Sequence, residues 1–298
     1  MKVTVTGSLG NISRILTERL VAAGHEVTVI SSDAARAEAI RQLGGTPLIG
    51  SVEEYAFIKK AFEGSDAVYL MAPPNFRTNH LKQYIRTVGE QYARAVLETG
   101  VPYVVHLSSI GAHLETGLGP TASSFYVEQQ LNALQDVHVL HLRPGMFLTN
   151  FYGAIPMMKH QGLLGNNFDG SVRLPLTHPK DIAEAAFNAL NTRSIDGKQV
   201  QYIVSDEKNG FEIAQILGHA AGRPDVHWMT FSDEQLLAAL IESGFSAQMA
   251  KVYMVEIGIA LRDGSFMEHY NKSKSRSTGG TTLQDFASEF AKVYQYTN

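Results

Sequence analysis

The residues best placed to do chemistry lie at the start of this 298-residue chain. Lys2-Val3-Thr4-Val5-Thr6 runs into Gly7-Ser8-Leu9-Gly10-Asn11-Ile12-Ser13 and then into Arg14-Ile15-Leu16-Thr17-Glu18-Arg19-Leu20. Val3 and Val5 alternate with threonines as in a strand, while Ile12, Leu16 and Leu20 recur at helical spacing, so the glycines occupy a strand-to-helix turn. Gly7 lets the chain leave the strand sharply. Gly10 keeps side-chain atoms away from whatever lies on the helix N-terminus, where free N–H groups and the helix dipole favour a diphosphate. A third glycine, packing helix on strand, is expected at position 13, where the chain has Ser13. A second strand over 26–30 follows about 20 residues on, the interval of a dinucleotide-binding βαβ unit. The same glycines would also suit a plain tight turn; the strand before, the helix after and the second strand favour a ligand.

The other candidates are weaker one by one. Ser108 and Ser109 close a strand over 103–109 and either meet a ligand amide or satisfy the strand end. Tyr126, on a helix containing 125–131, is either an acid or stacking ring or a half-buried helix aromatic. Its neighbour four residues on is the neutral Gln130. A phenol with an ordinary pKa of about 10 is a poor acid-base group at neutral pH unless a cation favours its phenolate. His106 and His141 fall inside strands and read as core groups, and His178 precedes Pro179 at a helix start. Histidine spacing and the absence of cysteine leave no support for a metal site, and no G-x-S-x-G turn presents a nucleophilic serine.

The elements that must position these residues follow in order. Asp33 caps a helix over 34–40 that Gly44-Gly45 stops, and 46–49 is a third strand. Ser51 and Glu54 read as a capping box before a helix ending near Gly64, and 66–71 is a buried fourth strand. A long helix spans 79–98, and a strand over 138–145 follows the helix that carries Tyr126. Strands alternating with helices give a doubly wound parallel sheet, in which ligands lie off the carboxyl ends of the strands. The ends at Gly7, Ser31, Met71 and Ser109 should therefore line one crevice. Beyond Phe147 the alternation fails: 150–170 suits a substrate-facing insertion better than a sheet. Regularity returns at 173–177, a helix over 179–190 and a strand over 199–204. Helices follow over 211–221, 233–243, 246–261 and 283–294, with the polar stretch 263–280 expected as a lid. This predicts an α/β Rossmann domain over 1–149, with 173–205 returning to it, and a smaller, mainly helical domain from 150–172 and 206–298.

Composition narrows the function. A net charge of −4 and the lack of a basic block with interleaved aromatics argue against nucleic acid as a partner. No stretch approaches a membrane span and no secretory signal opens the chain, so a soluble cytoplasmic protein is expected. With no cysteine, the fold relies on its core, and 44% apolar residues is ordinary for that.

Val5-Thr6-Gly7-Ser8-Leu9-Gly10, Leu107-Ser108-Ser109, Tyr126 to Leu131, Leu142-Arg143-Pro144-Gly145, Thr177 to Ala183 and the closing Thr278 to Leu283, in that order and spacing, resemble the NmrA-like family of atypical short-chain dehydrogenases/reductases. The resemblance implies an NAD(P)-binding Rossmann domain in a quinone-type reductase, or a redox sensor that binds the dinucleotide without turnover and acts on a partner protein. On that resemblance Gly7, Leu9, Gly10, Asn11 and Ile12 hold the diphosphate. Ser31, Ser32 and Arg36 bind the adenosine phosphate, Ser51 lies near adenine, Ala72 and Pro73 flank the ribose, and Ser108 meets the nicotinamide. Tyr126 and Ser109 are the catalytic candidates, and an apolar conjugated small molecule is the acceptor. Relatives often carry Arg directly after the second strand, where this chain has Ser31; many carry Asp after the third, where Gly50 precedes Ser51. Lys four residues after the tyrosine is replaced by Gln130, and the Lys or His found four residues before the Glu is Ser124. No acid stands at position 31 to repel a 2′-phosphate, so NADP(H) is expected as the preferred cofactor, with NAD(H) the alternative.

Overall fold

A computed structural model describes residues 1–73, 75, 78, 80–116, 119, 121–273, 276–278 and 280–297. The strands in chain order are β1 (Lys2–Val5), β2 (Glu26–Ser31), β3 (Thr46–Ile49), β4 (Ala67–Leu70), β5 (Tyr103–Leu107), β6 (His138–Pro144), β7 (Met146–Phe147), β8 (Leu163–Asn166), β9 (Arg173–Thr177), β10 (Lys198–Val204), β11 (Asp206–Asn209), β12 (His227–Thr230) and β13 (Arg276–Thr278). The first five helices are α1 (Ser13–Ala22), α2 (Ala37–Gln42), α3 (Tyr55–Phe62), α4 (Leu81–Thr99) and α5 (Thr121–Asn132). The chain folds as two compact units. The first comprises Met1–Glu115, Pro120–Arg143 and Ile182–Gln201; the second comprises Thr116–Gly119, Pro144–Asp181 and Tyr202–Asn298.

In the first unit the strands lie in the order β3-β2-β1-β4-β5-β6, all parallel, with β10 beside β6. β1 sits between β2 and β4, pairing Val3 with Val27 on one side and Val5 with Tyr69 on the other, so the order reverses there. Such a reversal opens a crevice at the carboxyl ends of the strands. Val3 to Val5 and all of β4 are buried, which is why these short β-branched and apolar runs read as central strands. Helices α3, α4 and α5 cover one face with a core that includes Phe62, Tyr92, Val96, Val127 and Leu131.

Four expectations change in detail. Ser51 and Glu54 form no capping box: the Ser51 hydroxyl accepts the N–H of Glu53 at 3.1 Å, and α3 starts only at Tyr55, with Glu54 at the cap position making no side-chain cap bond. The segment 150–170 is not free of sheet, since β8 lies inside it and pairs in parallel with β12. Its glycine has a packing reason, because a Cβ at Gly165 would stand 2.4 Å from the carbonyl oxygen of Met229. The helix expected over 246–261 is interrupted by a π-helical turn at Lys251–Val255. The lid expected over 263–280 instead carries a helix at Glu268–Lys272 and strand β13, which pairs in parallel with Tyr202 to Val204 of β10. A polar composition suited to solvent also suits a short edge strand, and β10 offers an edge to pair with. Residue 79, expected to open the long helix, lies outside the described residues, and α4 begins at Leu81.

In the second unit β11, β9 and β7 form a three-stranded sheet. Asp181 ties segments of this unit together: it accepts from the Ser205 hydroxyl at 2.5 Å and the Thr281 N–H at 2.9 Å. Among the described residues no helix is long and apolar enough to cross a membrane.

Candidate functional site

The glycine turn takes the form its sequence requires. Gly7 adopts φ +89°, and a Cβ there would stand 2.7 Å from Ser13 Oγ and 3.0 Å from the Met71 side chain. Ser13 fills the place of the third glycine and has a task of its own: buried, it donates from its hydroxyl to the Thr6 carbonyl at 2.8 Å, pinning the start of α1 to the end of β1. Thr6 extends the clip across the switch point, accepting the N–H of Met71 at 2.8 Å and donating to the Tyr69 carbonyl at 3.1 Å. Tyr92 donates to the Met71 carbonyl at 2.9 Å, so the backbone entering Ala72 and Pro73 is held from both sides.

The N-terminus of α1 is left open. Ile12 occupies the cap position without a side-chain cap, and no acidic residue lies in the first turn. The N–H groups of Leu9, Asn11 and Ile12 find no acceptor among the described residues, while that of Gly10 turns back to the Gly7 carbonyl at 3.1 Å. A Cβ at Gly10 would touch only that carbonyl oxygen, at 3.2 Å. Uncapped N–H groups at a helix start, with a bare glycine beside them, are what a diphosphate needs.

Beside the turn, Ser8 is held at φ +55°, rare for a non-glycine residue, and bonds to the Ser31 hydroxyl at 2.9 Å. Ser31 is buried and accepts the Asp33 N–H at 3.1 Å, so it forms the wall of the crevice, whereas Ser32 is exposed. Arg36 reaches Ser8 Oγ at 3.4 Å, with Asp33 Oδ2 3.7 Å from its Nε. Asp33 also caps its helix by accepting the Ala35 N–H at 2.9 Å. These contacts bring Ser8, Ser31 and Arg36 together at the ends of β1 and β2, with Ser32 next to Ser31 in the chain. Ser51 stands just past β3, which the Gly50 N–H ties to the Ser31 carbonyl at 2.9 Å.

At the end of β5 the two serines part. Ser108 is buried and donates to Glu128 Oε1 at 2.5 Å, while Ser109 is half-buried and makes no side-chain hydrogen bond among the described residues. Glu128, on α5, also takes a two-pronged pair of bonds from Arg143, at 2.9 Å and 2.5 Å, with both side chains almost wholly buried. Glu128 and Arg143 form a buried ion pair beside the end of β5 that pattern reading left without a role. The available signal was an arginine within the apolar run of β6 and a glutamate between Val127 and Leu131 of α5, since charges are almost never fully buried unpaired. Beneath them, His106 and His141 share a hydrogen bond of 3.0 Å between their Nδ1 atoms, and His141 Nε2 lies 3.0 Å from Asn132 Oδ1. Burial pushes both imidazoles down to about 3, so each is neutral.

Tyr126 meets a different environment from the one its neighbours in sequence suggest. Its hydroxyl donates to Glu115 at 2.7 Å, and the Arg86 guanidinium lies over its ring, 3.7 Å from the centroid. Arg86 is thus a cation distant in sequence, yet it faces the ring and not the phenol oxygen. The hydrogen bond to Glu115, with some burial, holds the phenol above its ordinary pKa despite Arg86. Among the described residues no group of three or more His, Cys, Asp or Glu is placed to hold a metal ion.

Comparison with known proteins accords with this architecture. A nucleoside-diphosphate-sugar epimerase structure from Staphylococcus aureus superposes with a TM-score of 0.79 at 18% identity, covering 97% of this chain and 100% of that one. The NADPH complex of an NADPH-dependent quinone oxidoreductase from Escherichia coli gives 0.79 at 19% identity, covering 96% and 99%. Triphenylmethane reductase from Citrobacter sp., complexed with NADP(H), gives 0.75 at 20% identity, covering 99% and 100%. These likenesses establish a Rossmann-like fold. The NmrA-like family profile matches residues 1–275. With its glycine turn, reversed strand order and that match over nearly its whole length, the chain belongs to the NmrA-like family of atypical short-chain dehydrogenases/reductases.

Proposed function

We propose that this protein is a cytoplasmic reductase that takes hydride from NADPH and delivers it to an apolar conjugated acceptor such as a quinone. The observation that carries the reading is the open N-terminus of α1, with free N–H groups at Leu9, Asn11 and Ile12 and no side chain at Gly10. The Escherichia coli and Citrobacter enzymes of similar fold, described with NADPH and NADP(H), support it. In this role the turn holds the diphosphate, Ser32 and Arg36 receive the adenosine phosphate against the Ser8–Ser31 wall, and Ser51 lines the adenine side. Ala72 and Pro73 flank the ribose. Ser109 offers its hydroxyl to the nicotinamide amide, and Ser108 fixes the strand end through Glu128. Bound NADPH supplies the hydride; a conjugated acceptor takes its proton from water, so no tuned phenol is required.

Gly10→Val is expected to fold, because a Cβ meets only one neighbour, and to abolish NADPH binding, because the branched side chain fills the diphosphate space. Circular dichroism and fluorescence titration read the two halves; unchanged affinity would make the turn only a turn. Arg36→Ala should weaken NADPH by roughly 1.5–3 kcal/mol, the range for a hydrogen bond to a charged group, and leave NADH nearly unchanged. Equal losses for both cofactors would remove Arg36 from the phosphate site.

Tyr126→Phe should lower kcat with a saturating quinone far less than the 10²- to 10⁴-fold typical of losing a general acid. Its phenol is held above its ordinary pKa, and a phenyl ring stacks nearly as well. A hundredfold fall accompanied by a lost ionisation would require a dehydrogenase-like mechanism. The same raised phenol favours the second reading, a dinucleotide sensor acting on a partner protein. Purified protein incubated with NADPH and a panel of quinones, carbonyl compounds and azo dyes separates them, since tight binding with no oxidation of NADPH on any acceptor selects the sensor.

A further inference from the structure

Arg86 lies in the second turn of α4 and Tyr126 in the second turn of α5. Both helices follow the carboxyl ends of their strands, β4 and β5, so the stacked pair belongs to the ligand-bearing edge of the first unit. Close packing fixes it there: a Cβ at Gly89, one turn beyond Arg86, would come within 2.5 Å of Val127 Cγ2, next to Tyr126. The guanidinium makes no hydrogen bond or ion pair among the described residues, and its Nε is shut from solvent without a partner. The carboxylate at hand, Glu115, is engaged by the Tyr126 hydroxyl. An arginine keeps its charge at any working pH and presents five N–H donors in a planar fork suited to paired anionic oxygens. A half-buried fork held by stacking, with its donors unused, is a receptor for an anion.

We propose that Arg86, stacked on Tyr126, is the anion-binding group of the acceptor site, and that the acceptor is a planar conjugated molecule bearing an anionic oxygen. This deepens the reductase reading and rests on it. The anionic oxygen has two sources. One is a carboxylate or sulfonate that the acceptor already carries. The other arises on a neutral quinone: the C–H bond of the dihydronicotinamide breaks, its hydrogen and electron pair form an O–H bond at one quinone oxygen, NADP⁺ is left, and the other carbonyl oxygen becomes an aryloxide that takes a proton from water. Either way, the cation missing at position 130 is supplied to the acceptor oxygen instead of the phenol.

The first test needs no turnover. Calorimetric titration of the full chain, with and without NADP⁺, should show benzoate binding at least tenfold more tightly than its neutral isostere benzamide, and Arg86→Met should erase that advantage. In the wild type, benzoate should protect Arg86 from modification by phenylglyoxal, read from the mass of its peptide, which answers the question even if Arg86→Met fails to fold. Equal binding of the two probes, or undiminished labelling of Arg86, overturns the proposal. The second test compares kcat/KM for menadione and for a naphthoquinone sulfonate. A tenfold or greater loss in Arg86→Met confined to the sulfonate identifies a charge resident on the acceptor, similar losses on both identify the oxyanion formed on reduction, and no loss on either overturns the proposal. A wild type that binds benzoate through Arg86 yet reduces neither quinone refutes the reductase reading and leaves the anion site standing.

Discussion

Glu128→Ala is expected to lower the free energy of unfolding by about 3–5 kcal/mol, the loss typical of removing one partner from a buried ion pair. The cause is what remains. Arg143 keeps its charge in a site where it is only 7% exposed, facing a cavity in place of two carboxylate oxygens. Ser108 also loses the acceptor for its hydroxyl. Replacing both charges, Glu128→Met with Arg143→Met, should cost less than the sum of the two single changes, because no buried charge is then stranded. Urea unfolding followed by far-ultraviolet circular dichroism on the three variants measures this. A loss under about 1 kcal/mol for Glu128→Ala would mean that solvent reaches Arg143, since only a hydrated guanidinium escapes the penalty.

Acid should unfold this protein earlier than its carboxylates alone would allow. His106 and His141 are pushed down to about 3, first by burial and then by neighbouring positive charge, that of His141 and Arg143 on His106 and that of Arg143 and Lys198 on His141. In the unfolded chain both return to about 6.5 and bind protons that the folded state refuses. Their contribution is therefore fully present above about pH 6.5 and is lost as pH falls toward 3. With two protons the slope reaches up to about 2.7 kcal/mol per pH unit. The carboxylates of Glu98 and Asp225, lowered to about 2 by hydrogen bonds to neighbouring cations, act only at lower pH, so the window between pH 6.5 and 4.5 isolates the imidazoles. Stability measured in urea at several pH values should fall steeply there in the wild type and about half as steeply in His106→Asn or His141→Gln. A flat profile over that window would mean that the pair is protonated in the folded state.

Most elements of the first unit, and their order, are legible in the residues alone. The turn from Gly7 to Ser13, the strands 26–30 and 46–49 and the helix 283–294 are written in alternation, helical spacing and glycine placement, all signals that near neighbours along the chain carry. Those signals also marked the glycine turn after β1, because the shape of a strand-to-helix turn is set by backbone, and backbone geometry is local. Where a partner strand was needed they failed: β8 and β13 exist because β12 and β10 offer them edges, and a polar or glycine-rich run does not reveal an edge far away in sequence. The chemistry at side chains was decided in the same way by tertiary structure. That the Ser31 hydroxyl pairs with Ser8, and that the Ser108 hydroxyl donates to Glu128, is not written in the residues around them. Tyr126 looks as if it has no cation until α4 brings Arg86 over its ring. A side chain's charge state and bonding depend on which groups lie within a few ångströms. In a doubly wound sheet those groups come from neighbouring strands and crossover helices, tens of residues apart, whose packing alone selects them.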